Sequence, residues 1–157
     1  MQINPGRKQI MDEIRILPMK KEDIPELARL EKICFSQPWS EKSLEEELDN
    51  HIAHFFTAIK GDRIIGYIGT FVVCESANIS NIAVFPEYRR QGAARALITE
   101  ACRNSLSLGA QSLSLEVRVS NSEAISLYSS MGFEEVGMRK GFYRAPAEDA
   151  LILTKEL

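Results

Sequence analysis

The chain has 157 residues, 45% of them apolar, which suffices for one buried core without disulfide or metal support. Its formal net charge of −3 argues against general affinity for nucleic acid or for anionic membrane surfaces. Three scattered cysteines, Cys34, Cys74 and Cys102, show no CxxC spacing and fit reduced thiols in a cytoplasmic protein.

Residues 1–10 are polar, contain Pro5-Gly6 and lack the apolar stretch of a signal peptide. They are read as a disordered tail, with Met11 as an alternative start. Residues 11–157 read as a single domain, because no repeat, low-complexity segment or linker divides them. No apolar run reaches the length of a membrane span. Residues 14–17 form a short strand. Asp23 is expected to cap a helix running to about Cys34, with Glu26 three residues on and Leu27, Leu30 and Cys34 facing inward. Ser40 is expected to cap a second helix, with Trp39 and Leu44 at the spacing of a hydrophobic staple. Residues 55–59 and 64–73, joined by Gly61-Asp62, read as a hairpin, and 77–84 as a further strand. A long amphipathic helix follows over 92–108 and stops at Gly109. Residues 112–117 alternate cleanly, with Leu113, Leu115 and Val117 on one face and Ser114 and Glu116 on the other. Asn121 or Ser122 caps a short helix carrying Ala124, Leu127, Tyr128 and Met131, which Gly132 ends. Two strands, near 134–138 and 150–155, close the chain. The order is β-α-α-β-β-β-α-β-α-β-β.

The stretch Arg89-Arg90-Gln91-Gly92-Ala93-Ala94 stands between a strand and the long helix. The first N–H groups of a helix have no acceptor inside it, and the helix dipole adds positive potential there. Small residues at 92–94 let an anion such as a diphosphate approach the backbone, and two arginines add charge at the entrance. A P-loop is disfavoured, since no GK[ST] follows, and no GxGxxG with a later acidic residue supports a dinucleotide fold. His51 and His54 have a metal-like spacing but no acidic or thiol partner, so they are assigned to a surface loop. The run Glu45-Glu46-Glu47 reads as the wet face of a helix. Glu116 is open to two readings, a cleft carboxylate or a strand residue paired with Arg118; Tyr128 is either a core aromatic or a working phenol.

In this order of elements, the Arg89–Ala94 loop, Leu115-Glu116-Val117-Arg118, Asn121 and Tyr128-Ser129-Ser130-Met131-Gly132-Phe133 together resemble the GNAT superfamily of acetyl-CoA-dependent N-acetyltransferases. Within it, Pro38-Trp39-Ser40, Asn81-Ile82-Ala83-Val84 and Arg139-Lys140-Gly141-Phe142-Tyr143 followed by Glu148-Asp149-Ala150 are similar to the ribosomal-protein alanine N-acetyltransferases. The resemblance implies an α/β (α+β mixed) fold: a twisted, mostly antiparallel mixed sheet of about six or seven strands, flanked by about four helices, with strands splayed at the acetyl-CoA site. It departs from the pattern at Ala94, where a second glycine is commoner, and at Phe142, where related enzymes often carry Tyr.

The resemblance also implies a distribution of tasks. Ile82, Ala83 and Val84 lie along the pantetheine arm, with the Val84 N–H aimed at the acetyl oxygen. Arg89, Arg90, Gln91, Gly92, Ala93, Ala94 and Arg95 hold the diphosphate, and Asn121 touches the pantetheine arm. Glu116 is the general base and Tyr128 the general acid, with Tyr143 bordering the peptide entrance. An α-amine with a pKa near 8 and a carboxylate near 4.3 make direct proton transfer uphill by about 5 kcal/mol. Transfer through ordered water, or a raised carboxylate pKa, relieves this. About a tenth of α-amines are already neutral near pH 7, against under about a thousandth of lysine ε-amines, which favours an N-terminal acceptor.

The expected activity is therefore acetylation of a protein N-terminus, foremost the alanine of a small-subunit ribosomal protein. Acetyl-CoA serves as cosubstrate, without metal, nucleic acid or membrane, in a cytoplasmic monomer or weak homodimer. Acetylation of a lysine or small amine, and non-catalytic acyl-CoA binding, are the alternatives.

Overall fold

The computed structural model describes residues 13–157; the tail expected over residues 1–10, and Met11, lie outside them. The elements follow the predicted order. They are β1 (Ile14–Pro18), α1 (Ile24–Cys34), α2 (Glu41–Glu47), β2 (Ala53–Lys60), β3 (Arg63–Val73), β4 (Ser76–Val84), α3 (Ala93–Ser107), β5 (Ser112–Arg118), α4 (Ser122–Ser130), β6 (Glu134–Arg144) and β7 (Ala147–Glu156). Short 3-10 turns at Lys21–Asp23 and Pro86–Tyr88 precede α1 and follow β4. The seven strands form one mixed sheet in the order β1-β2-β3-β4-β5-β7-β6. Its β4–β5 pair is parallel, and the β1–β2, β5–β7 and β6–β7 pairs are antiparallel. By its contacts the chain divides into two compact units.

One unit comprises the chain up to Gly69 together with Asn81–Ala101. Its core holds Leu27, Leu30, Leu44, Ile65, Ile68, Leu97 and Ile98, all fully buried. Burial of each such side chain contributes roughly 1.5–3 kcal/mol. Ser40 caps α2 as expected, its hydroxyl accepting the Ser43 N–H at 3.1 Å. Asp23 occupies the N-cap position of α1 as expected, but its side chain makes no cap bond. The 3-10 turn gives it helical backbone angles, and its carboxylate turns back to accept the Lys20 N–H at 2.9 Å. Glu26 consequently pairs with Arg29 instead of completing a capping box. Trp39 stacks toward Phe55, ring centroids 6.0 Å apart. Gly69 is required beneath that ring, since a Cβ there would stand 2.5 Å from the Phe55 ring tip.

The buried carboxyl of Glu31, 1% exposed, ties α1 to two other segments. Its Oε1 accepts the Trp39 N–H at 3.1 Å and the Asn81 Nδ2–H at 3.2 Å. Glu31 Oε2, Asn81 Oδ1 and the buried Tyr67 hydroxyl make no close hydrogen bond, although Tyr67 lies near enough to the carboxyl to pull its pKa down against burial. Burial raises the Glu31 pKa above the ordinary carboxylate value. A proton on Oε2 would convert an orphaned acceptor into a donor. The linkage sign follows from the raised value. Folding binds a proton here, so the associated stability is present below the unfolded pKa of about 4.3 and is lost as pH rises through the folded value. Glu31→Gln, which carries an N–H at that position permanently, is expected to flatten this decline and to raise stability at pH 7.5 by about 1 kcal/mol. Denaturant titrations between pH 5 and 8 measure it; an equal loss of stability at every pH contradicts it.

The other unit comprises Thr70–Ser80 and Cys102–Leu157. Here β4 runs beside β5 over three register pairs, Ser76↔Ser112 to Asn78↔Ser114. The opposite edge of β5 pairs along its whole length with β7, from Ser112↔Glu156 to Arg118↔Ala150. Leu113, Leu115 and Val117 are buried on one face, as the alternation predicts. The last two strands are longer than the sequence reading: β6 continues through Arg144 and β7 begins at Ala147. The register of this hairpin slips twice, between Glu135 and Gly137 and between Arg139 and Tyr143.

Candidate active site

The first group of predicted residues lies in the unit that contains α1. Past Val84 the chain makes the Pro86–Tyr88 turn and then two left-handed residues, Arg90 at φ +60° and Gly92 at φ +88°, before entering α3. Glycine at 92 is needed for that angle. A Cβ at Gly92 would meet nothing within 4 Å, so the space beside the α3 N-terminus is open. The Ala96 N–H bonds the Gly92 carbonyl at 3.0 Å, making residue 92 the start of the helix ladder. The N–H groups of Ala93, Ala94 and Arg95 therefore belong to the turn that has no carbonyl acceptor within a helix.

Arg89 and Arg90 separate in role. The Arg89 guanidinium turns inward, donating from Nε to the Val84 carbonyl at 3.1 Å and from Nη2 to Cys34 Sγ at 3.5 Å. It braces the end of β4 in this conformation, although Arg89 and Arg90 are both exposed residues of the loop. The Gln91 amide oxygen accepts from Lys60 Nζ at 2.8 Å, fixing the loop to β2. Phe85, fully buried, anchors the strand end through its N–H to the Ile65 carbonyl, with Arg29 over its ring at 4.6 Å. Ala83 and Val84 are buried and Ile82 is half-buried. Gly66 permits this packing, since a Cβ there would stand 2.7 Å from the Ala83 carbonyl oxygen.

The second group lies in the unit that contains β5. Glu116, with a side chain 28% exposed, shares a face with Ser114 and Arg118. The expected alternative, an ion pair between Glu116 and Arg118, is not formed. Glu116 Oε1 instead meets Arg139 Nε from β6 at 3.2 Å, and Arg118 is committed elsewhere. Its guanidinium donates to the Pro146 carbonyl at 2.9 Å, to the Ala145 carbonyl at 3.3 Å and to Glu148 at 3.3 Å. It also lies over the Tyr143 ring at 4.2 Å. Glu148 accepts the Ser120 N–H at 2.7 Å. Hydrogen bonds from Ser120, then Arg118, hold its carboxyl below the ordinary range.

Tyr128 sits on α4, 5% exposed. Asn121 caps that helix, its Oδ1 accepting the Ala124 N–H at 3.2 Å. Gly132 ends it at φ +92°, and the Phe133 N–H returns to the Tyr128 carbonyl at 3.0 Å. This ending places the Phe133 ring edge-on to Tyr128 at 5.5 Å. Burial, with a smaller contribution from Tyr143, raises the Tyr128 phenol well above its ordinary value. Such a phenol gives up its proton readily only to a thiolate that is desolvated beside it, because low dielectric raises both pKa values together. Burial likewise raises Tyr143, against the neighbouring Arg118 charge.

Sequence reasoning missed Arg139 and Glu148 as members of this group. The signal that could have found them is Gly141, a glycine inside a strand pattern. It adopts φ +63°, and its N–H is held by Asp149 Oδ1 at 2.8 Å. The bulge lets the register jump from Arg139↔Ala150 to Tyr143↔Glu148, so both Arg139 and Tyr143 reach the face that carries Glu116 and Arg118. A mixed cleft beside α4, lined by Ile125, Ser129, Phe133, Glu134, Glu135, Leu151 and Leu153, lies on the opposite face of the sheet and takes no part in this group. His54 is a half-buried residue of β2 rather than of a loop, and burial lowers its pKa. Among the described residues no group of three or more His, Cys, Asp or Glu could hold a metal ion. No helix among them is long and apolar enough to cross a membrane.

One unit thus holds an open helix N-terminus after β4, and the other a half-buried carboxylate on β5 and a buried phenol on α4. The profile of the acetyltransferase (GNAT) family matches residues 24–133, and the chain belongs to that family. A Bacillus subtilis (strain 168) relative is 40% identical over 136 residues, covering 86% of this chain and 90% of its own length. The [ribosomal protein bS18]-alanine N-acetyltransferase of Escherichia coli (strain K12) is 35% identical over 140 residues, covering 88% of this chain and 94% of its own. The crystal structure of the ribosomal-protein-S18-alanine N-acetyltransferase from Escherichia coli superimposes with a TM-score of 0.83 at 33% identity, over 92% of this chain and 94% of that one.

Proposed function

We propose that this chain transfers the acetyl group of acetyl-CoA to the α-amine of a protein N-terminus, with the N-terminal alanine of ribosomal protein bS18 as acceptor. The reading is carried by the 35% identity, across 88% of the chain, to the Escherichia coli enzyme of that activity. Glu116 and Tyr128, present in one unit of the fold, support it with the two groups the chemistry needs.

Glu116 takes a proton from the acceptor's ammonium, directly or through ordered water. The freed amine attacks the thioester carbonyl, and the Val84 N–H meets the charge developing on the carbonyl oxygen. Glu116 passes that first proton to solvent. As the carbon–sulfur bond breaks, the attacking nitrogen, cationic after addition, gives its second proton to Glu116 or to water. Tyr128 protonates the departing thiolate, and solvent restores the phenol and relieves Glu116. In this reading Ile82, Ala83 and Val84 flank the pantetheine arm, and Arg89–Arg95 with the first turn of α3 hold the diphosphate. Asn121 reaches the pantetheine arm from the start of α4. The open space at Gly92 suits close approach of an anion to the helix start. Residues 11–157 act as one catalytic domain in the cytoplasm, as a monomer or weak homodimer, without metal, nucleic acid or membrane.

Intact-mass spectrometry on peptides with different first residues, alongside polyamines and lysine peptides blocked at the N-terminus, tests this. A single 42 Da addition to alanine-first peptides is expected. Modification of polyamines or blocked lysine peptides with alanine peptides untouched, or tight acetyl-CoA binding with no transfer at all, contradicts it.

A further inference from the structure

We propose that Arg139 is the resident counter-ion of Glu116, displaced by the ammonium of the incoming acceptor, and so a positioning residue that sets acceptor affinity. The proposal rests on the reading of Glu116 as the base. Of the two arginines on this face, Arg118 is spent on two carbonyls, Glu148 and the Tyr143 ring. Arg139 alone of the pair answers the Glu116 charge. The register shows how it reaches. Arg118, Ala150 and Arg139 stand side by side on β5, β7 and β6, and Glu116 is opposite Ile152 one step along the same face. Ala150 and Ile152 of β7 flank the path, and the small Ala150 side chain directly opposite Arg139 leaves its long arm room to cross to Glu116.

The two partners are unequally held. Arg139 is 57% exposed and sits at the last regular pair before the Gly141 bulge, whereas Glu116 is half-buried in the middle of a strand paired along its length with β7. Exposed ion pairs of this kind are weak, so a second cation exchanges with the guanidinium at little cost. The acceptor of the proposed reaction arrives as a cation, because most α-amines are protonated near neutral pH. Arg139 thus orients the carboxylate before the acceptor binds and competes with the acceptor for it.

Arg139→Gln is expected to lower KM for an alanine-first peptide by about two- to fivefold. Its acceptor KM should also rise more steeply with added salt than that of the wild type, since the unpaired carboxylate now attracts the ammonium alone. The change should appear in acceptor KM rather than in kcat or in KM for acetyl-CoA, and Arg139→Lys should restore the wild-type value. A purely structural role would not produce a tighter acceptor complex. An unchanged or raised acceptor KM in Arg139→Gln, with an active wild type, overturns this proposal and leaves the function intact. A wild type that acetylates no α-amine removes the function and takes the Arg139 proposal with it.

Discussion

Tyr128→Phe is expected to lower kcat by about 10²- to 10⁴-fold, the range removed with a general acid, while acetyl-CoA binds as before. The variant keeps the ring, its edge-on contact with Phe133 and its burial, so α4 and its Gly132 ending retain their packing. Only the hydroxyl is lost. That hydroxyl is held protonated by burial, as a proton donor must be until the leaving group appears. Single-turnover rates combined with calorimetric titration of acetyl-CoA separate the two effects. A rate equal to wild type would remove Tyr128 from the chemistry and return it to the core role that its α4 stripe also allows. A parallel loss of cofactor affinity would place it in binding instead.

Gly92→Glu is expected to weaken acetyl-CoA binding by at least about 100-fold. Two effects act together. A side chain at φ +88° costs roughly 1–3 kcal/mol of backbone strain, and a carboxylate at the start of α3 competes with an anionic ligand for the same N–H groups and dipole. Gly92→Ala isolates the strain, since its methyl would meet nothing within 4 Å. It should reduce stability while retaining most of the affinity. Calorimetry on both variants, with circular dichroism to confirm folding, makes the comparison. Wild-type affinity in Gly92→Glu would discredit the diphosphate assignment of this loop.

Local patterns made most of the architecture readable. The strict alternation of residues 112–117 reported both the strand and the separation of Leu113, Leu115 and Val117 from Glu116. Gly109 and Gly132 marked helix ends because each needs a left-handed angle there. What escaped was set by tertiary register. Asp23 stands at the cap position of α1, as its type and spacing suggest, but the 3-10 turn that ends on it redirects its carboxylate to the Lys20 N–H. Arg118 looks like the natural partner of Glu116, two positions away on one face. The turn between β6 and β7 offers it two carbonyls and Glu148 instead, and the bulge at Gly141 delivers Arg139 to Glu116. Such pairings depend on which residues face each other across β7, which no local pattern records. Likewise, no local pattern shows that the Arg89 Nε donates to the Val84 carbonyl.

The identity of the modified nitrogen tests the account most directly. A peptide with the N-terminal sequence of bS18, containing at least one internal lysine, is incubated with isotopically labelled acetyl-CoA and the product is fragmented by tandem mass spectrometry. The label is expected on the α-nitrogen of the first alanine. Label confined to a lysine ε-nitrogen, or an unmodified peptide in a sample that acetylates a free polyamine, would contradict it.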